Sequence, residues 1–324
     1  MADSTDALPV SQSKDTALVI FPGALGDFLV FLPTAIALAQ HYERLLLAAR
    51  GEWLSLIEHP RIEPISIEHP ALTQLFSADF EPAPWRAAFG SVRQAYSWSG
   101  HGVSPFAANL QVATEGAARI FPFRDFRDGE HATEYYARCV GVAPAPPSSV
   151  AAFLRIHSCP LADQLRQRGP ILAIHPGSGS PNKNWRGFDE LVQLWKGATG
   201  GRVVAILGPA EISHRQRLAT ADMEFMARPL PEVAALLRAA DCYLGNDSGV
   251  SHLAACLGAR GVVLFGPRSD PQHWAPRSPK LRVIARSTPC TTCGPDVFCD
   301  HLVGSAEVLH VLLSEGASGM SKQT

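Results

Sequence analysis

The chain has no long apolar run. Its longest uncharged apolar stretch near the start, residues 28–39, is too short to span a bilayer and contains Pro33. Residues 1–16 are polar and mixed in charge, without the apolar core of a signal peptide. A cytoplasmic protein is expected, with peripheral contact at the inner face of the membrane left open. Cysteine is too sparse and scattered for a disulfide framework: seven among 324 residues, several isolated in apolar segments, read as reduced, buried thiols. Excess positive charge is also missing. Net charge is −2, and neither half is basic enough to suggest nucleic acid. Residues 1–155 carry 11 Lys+Arg against 16 Asp+Glu, and residues 156–324 carry 17 against 14, a mildly basic half that suits a diphosphate. The last absence is local. The turn GALG at 23–26 lacks the third glycine of GxGxxG, so a nicotinamide fingerprint is poorly supported.

What is there is an ordinary globular composition, 46% hydrophobic and 18% charged, long enough for two cores. TALVIF at 16–21 reads as a buried parallel strand, followed by an apolar helix to about Gln40 that Pro33 either kinks or begins. Strands are expected at 45–49 and 91–99, a helix at 131–140, and at 99–105 a glycine-rich loop that is either plain surface or an acceptor contact. VAPAPPSS at 142–149 has the composition of a linker and divides the chain into 1–149 and 150–324.

The second half opens with residues 150–155 and a helix near 161–168, followed by a buried strand at 171–175 that delivers HPGSGSPNKNW. Gly177 and Gly179 permit a tight loop whose N–H groups can hold an anion, and Lys183 adds a positive charge to it. A strand at 201–207 ends in GPAE, where Glu211 is either an exposed helix-terminal acid or a ligand-binding carboxylate. After an amphipathic helix at 230–240, residues 242–267 read as strand, polar turn, helix, strand. Asp247, Ser248 and Gly249 fall where a helix leaves its first N–H groups unpaired, with Ser251 and His252 in its first turn. Recurrence of strand, loop and helix from 171 to 267 argues for a parallel sheet with right-handed crossovers. Cys290, Cys293, Cys299 and His301 have a spacing that can hold zinc, but a single CxxC with short gaps leads to the expectation of no metal. A helix at 305–314 and a frayed tail complete the chain.

Three of these stretches together carry a resemblance: GALGDFLVFLPTAIAL at 23–38, HPGSGSPNKNWRGFDELVQLW at 175–195 and GNDSGVSHLAACLGARGVVLFGP at 245–267. In order and spacing they resemble glycosyltransferase family 9, which contains the lipopolysaccharide heptosyltransferases. The resemblance implies an α/β GT-B fold, two Rossmann-like domains with parallel sheets facing across a cleft. It also implies transfer of a sugar from a nucleotide-diphosphate donor such as ADP-heptose to a saccharide or glycolipid acceptor, without cofactor or metal. The family pattern puts the catalytic aspartate at Asp27, in an acceptor-side loop with Gly23 and Gly26. It puts the donor on Ser178, Lys183, Glu211, Asp247, Ser248, Gly249 and His252. The competing reading of Asp27 is a helix-terminal acid that complements the dipole. A nucleotide-sugar epimerase or hydrolase on the same fold stays open, as does a binder without chemistry. An acidic first half is not an obvious partner for an anionic inner-core acceptor.

Overall fold

Ala17, Leu18, Val19 and Phe21 are wholly inaccessible to solvent. A strand buried on both faces belongs in a parallel sheet covered by crossover helices. The computed structural model, which describes residues 13–208, 211 and 218–320, contains that arrangement twice. The chain divides into two compact units, one ending at Arg155 and one beginning at Ile156.

In the first unit, β1 (Ser13–Ile20), β2 (Tyr42–Ala49), β3 (Ile62–Ser66), β4 (Val92–Ser97) and β5 (Ala118–Ile120) form a parallel sheet in the order β3-β2-β1-β4-β5. In the second, β6 (Ile171–His175), β7 (Arg202–Leu207), β8 (Met223–Met226), β9 (Cys242–Asn246), β10 (Gly261–Phe265) and β11 (Leu281–Ala285) do the same in the order β11-β10-β9-β6-β7-β8. Each sheet reverses its winding where its first strand lies beside its fourth, β1 beside β4 and β6 beside β9. Loops leaving the carboxyl ends of two such strands run to opposite faces and open a crevice. Residues 21–24 and 98–103 occupy that place in the first unit, and residues 176–187 and 247–248 in the second.

One face of the first sheet packs Leu18, Ile20, Leu46 and Ala48 on Trp85, Phe89, Phe106 and Leu110. Around the Leu25–Ala39 helix lies an aromatic cluster, with Phe21 stacked on Phe31 at 4.3 Å between ring centroids and Tyr136 edge-on to both. Pro33 sits inside this helix rather than at its start. The second core joins Leu172, Ile174, Leu244, Val262 and Leu264 to Trp185, Phe188, Trp195, Val308 and Leu312. Among the described residues no helix is long and apolar enough to cross a membrane.

Two boundaries differ from the sequence expectation. The proline-rich segment at 142–149 is tied into the first unit, since Ala145 N–H donates to the Pro33 carbonyl at 3.0 Å. Val150 is buried, and residues 153–155 exchange backbone bonds with 56–58 (Glu58 N–H to Phe153, Arg155 N–H to Leu56), so this stretch closes the first unit instead of opening the second. The last helix, Ser305–Met320, runs past residue 314 into the segment expected to fray, of which residues 321–324 lie outside the described residues. Glycine there costs about 1 kcal/mol of helix propensity but does not force an end as proline would.

Arg138 grips both carboxylate oxygens of Glu130, Nε to Oε1 at 2.6 Å and Nη2 to Oε2 at 2.7 Å, and this bidentate pair holds the Glu130 carboxyl below its ordinary range. A depressed folded-state value gives stability that is present above about pH 4.5 and is lost as pH falls through the folded value. Glu130→Gln is therefore expected to lower Tm at neutral pH and to flatten its fall on acidification. An acid limb identical to the parent's would show that the pair contributes nothing.

Candidate active site

Asn246, the last residue of β9, is wholly buried, so both ends of its amide need partners. Its Nδ2 donates to the Pro176 carbonyl at 2.7 Å, and its Oδ1 accepts the Trp185 backbone N–H at 3.1 Å. Both ends of the loop after β6 are thus drawn to the end of β9. Within the loop, Ser178 Oγ lies 2.6 Å from the Ser180 carbonyl and 2.7 Å from Asn184 Oδ1, and accepts the Ser180 N–H at 3.2 Å. The turn brings Lys183 Nζ to 2.7 Å from Asp247 Oδ2, with the lysine side chain 29% exposed and the aspartate 11%.

Ser248 caps the Gly249–Cys256 helix, its Oγ accepting the Ser251 N–H at 3.3 Å. Ser251 Oγ donates its single proton to the Asn246 carbonyl at 2.5 Å, so the Tyr243 hydroxyl, 2.9 Å away, is the donor to Ser251. Burial pushes the Tyr243 phenol well above its ordinary range and keeps it a donor. A Cβ on Gly245 would lie 2.1 Å from that hydroxyl, so only glycine leaves this chain of bonds intact. The Asp247 N–H is spent on the Leu264 carbonyl at 3.1 Å, while the amides of Gly249 and Val250, in the first helical turn, have no intrahelical acceptor. His252 lies buried in the same turn.

Glu211 is 8% exposed, which removes the reading of an exposed helix-terminal acid. Its Oε2 accepts the Gly208 N–H at 2.9 Å past the end of β7, and its Cγ would be 2.2 Å from a Cβ on Gly177. The absence of a side chain at Gly177 lets the carboxylate lie against the β6 loop.

In the first unit, Asp27 is the third residue of the Leu25–Ala39 helix. Its Oδ2 accepts the Ala24 N–H at 3.1 Å, and its Oδ1 pairs with Arg124 Nη2 at 3.1 Å. Gly23 packs against it, since a Cβ there would stand 2.6 Å from Asp27 Cβ, and the Gly23 carbonyl accepts from Trp53 Nε1 at 3.1 Å. Gly26 lies in the same first turn. Tyr136 is buried in the adjoining cluster, its hydroxyl without a hydrogen-bond partner among the described residues. Burial first, and then the charge of Asp27, raise its pKa.

Residues 137–296, which contain the β6 and β9 loops, match the family model described as Glycosyltransferase family 9 (heptosyltransferase). The chain is a glycosyltransferase, similar to family 9 over this segment. Solved structures agree in fold with this glycosyltransferase. The glycosyl transferase family 9 from Veillonella parvula DSM 2008 superposes with a TM-score of 0.72 at 16% identity, over 95% of this chain and 100% of the other. The E. coli ADP-heptose lps heptosyltransferase II gives 0.67 at 18% identity, over 94% and 99%. E. coli heptosyltransferase WaaC with ADP gives 0.61 at 17%, over 93% and 99%. The two parallel-sheet units are those of the GT-B class. No curated protein matches the sequence.

For this glycosyltransferase the structure gathers Ser178, Lys183, Asp247 and Ser248 on the two switch-point loops of the second sheet and Gly249 and His252 in the helix turn that follows, with Glu211 against Gly177. Asp27, Gly23 and Gly26 belong to the first unit. Asn246, Tyr243, Arg124 and Tyr136 were missed. Asn246 and Tyr243 lay inside or beside the quoted motif, whereas Arg124, 97 residues from Asp27, left no sequence signal. A cavity of about 430 Å³ lined by Pro170, Asp241, Arg260 and Lys280 lies at the amino ends of β6, β9, β10 and β11, the end away from these loops.

Asn246→Ala strands the Trp185 N–H and the Pro176 carbonyl, at a cost of about 1–3 kcal/mol for each group left unpaired. A lower Tm and faster hydrogen exchange at the Trp185 amide are expected. Unchanged exchange there would mean that the loop holds its shape without the amide.

Proposed function

We propose that this glycosyltransferase moves a heptose-like sugar from a nucleotide-diphosphate donor to a hydroxyl of a saccharide or lipid-linked acceptor, as in lipopolysaccharide-type core synthesis. The observation that carries this is Lys183, fixed at Asp247 beside a helix N-terminus at the switch point of the second sheet. As the bond from the sugar to the diphosphate breaks, negative charge gathers on the leaving oxygen. Lys183 and the amides of Gly249 and Val250 are the groups placed to receive it. Asp247 holds the ammonium in position, and Ser178, Ser248 and His252 complete the polar wall. Glu211 Oε2 is bonded to Gly208, and its other oxygen serves a ribose hydroxyl. The E. coli neighbours, an ADP-heptose enzyme and one with ADP, support an adenine nucleotide.

Asp27 is the base, with Gly23 and Gly26 shaping its loop. Its carboxylate takes the acceptor hydroxyl's proton while that oxygen bonds to the sugar carbon and the diphosphate leaves. Arg124 aims the carboxylate. A glycolipid acceptor would be met by peripheral contact at the inner face of the membrane.

Lys183→Ala removes a charge-assisted contact worth about 1.5–3 kcal/mol, so ADP-heptose affinity measured by calorimetry is expected to fall about tenfold or more. Affinity equal to the parent's would take Lys183 out of the site. Asp27→Asn keeps the shape and removes the base, so transfer is expected to fall about 10²–10⁴-fold with donor affinity unchanged. Near-normal transfer by the Asn variant would leave Asp27 as a helix-terminal acid only. Donor turnover without acceptor at the rate of transfer would favour a hydrolase.

A further inference from the structure

Sequence spacing alone led to the expectation of no metal at Cys290, Cys293, Cys299 and His301. In the structure, the short gaps that counted against a site are what bring the donors together: one ligand atom from each residue lies within 4.8 Å of all the others. A tetrahedral centre with metal–sulfur bonds of about 2.3 Å and metal–nitrogen bonds of about 2.0–2.1 Å needs its ligand atoms somewhat under 4 Å apart, a small contraction from what is seen. Cys293 Sγ and His301 Nδ1 are already 3.3 Å apart.

The backbone is arranged in the same sense. The Cys293 N–H donates to Cys290 Sγ at 3.3 Å, and the Gly294 N–H to the Cys290 carbonyl at 3.2 Å. Gly294, at φ +99°, lets the chain fold back beneath the first cysteine. An N–H aimed at sulfur supports a thiolate, the form that binds metal. All three cysteines are free, and three thiols with an imidazole cannot be used up by one disulfide.

We propose that Cys290, Cys293, Cys299 and His301 form a closed tetrahedral site for one thiolate-preferring divalent cation, zinc or ferrous iron. Three thiolates and one imidazole fill all four positions, so the ion is structural and leaves no place for substrate. Its work is mechanical. Residues 286–304 form no strand or helix, and two of their carbonyls accept bonds from the segment that carries Lys183. The Arg186 N–H donates to the Phe298 carbonyl at 3.1 Å, and Trp185 Nε1 to the Val303 carbonyl at 3.0 Å. Ser305 Oγ donates to Glu190 Oε2 at 2.8 Å. Phe298 packs under Gly266, where a Cβ would meet its ring at 2.6 Å. An ion that joins residues 290, 293, 299 and 301 fixes the segment from which these bonds arise, and thiol protons are released as it binds.

The test is elemental analysis of the full chain, purified under reducing conditions without added metal, after expression in zinc-supplemented and in iron-supplemented medium. One equivalent of zinc or iron per chain is expected, and the two cultures distinguish the metals. Cys299→Ser/His301→Ala is expected to lose it. Removal from the parent by a strong chelator is expected to lower Tm, with recovery on adding zinc or ferrous salt. Cobalt(II) added to the apo chain is expected to give ligand-field and thiolate charge-transfer bands that saturate at one equivalent, a readout that does not depend on the variant folding. Trace metal in both cultures with no cobalt bands would overturn the proposal. So would full metal content in the double variant, or a stoichiometric disulfide between Cys290 and Cys299.

Discussion

The amide of Asn246 has no water to fall back on, and the second unit is arranged around that fact. A wholly buried carboxamide must spend both its donor and its acceptor inside the protein. Here it spends them on Pro176 and Trp185, which bracket the loop after β6. Its own backbone carbonyl takes the Ser251 hydroxyl, whose oxygen takes the Tyr243 hydroxyl. One residue at the end of β9 thereby sets the β6 loop, the start of the Gly249–Cys256 helix and the distance between Lys183 and Asp247. Tight packing makes such an arrangement stiff, because no partner can move without stranding another polar group.

The first unit reaches a similar layout by other means. Its switch point is lined by an aromatic cluster in which Phe21, Phe31 and Tyr136 fix the floor under Asp27. Asp27 closes the first turn of its helix through the Ala24 N–H and at the same time pairs with Arg124. The bland reading of this residue, a helix-terminal acid, and the chemical one are therefore not exclusive. One carboxylate oxygen serves the helix, and the other pairs with Arg124, whose side chain is 56% exposed. A carboxylate oriented in this way is held by structure on one side and open to exchange of partners on the other.

Much of the fold was legible in the chain because its signals are local. Apolar runs at 16–21, 171–175 and 201–207 read as buried strands, since a strand covered on both faces needs apolar residues at nearly every position. Glycine turns marked where strands pass into helices. The domain boundary was misplaced because proline content speaks of backbone stiffness and not of partners. The bond from Ala145 to Pro33, and the pairing of residues 153–155 with 56–58, join positions about a hundred residues apart. How closely the donors of Cys290, Cys293, Cys299 and His301 approach one another was not legible either. Sequence gaps count residues, whereas coordination depends on how the chain folds back at Gly294 and on where His301 ends up.

The sequence by itself determined two parallel-sheet units, the resemblance to family 9, and the loops that carry Asp27, Lys183 and Asp247, because strand pattern, turn glycines and motif order are written in neighbouring residues. Only the tertiary structure decided that Lys183 meets Asp247, that Arg124 meets Asp27, that Asn246 ties two loops together and that three cysteines and a histidine converge. The first three depend on strand order, which places side by side segments that are up to 97 residues apart, and the last on the turn at Gly294.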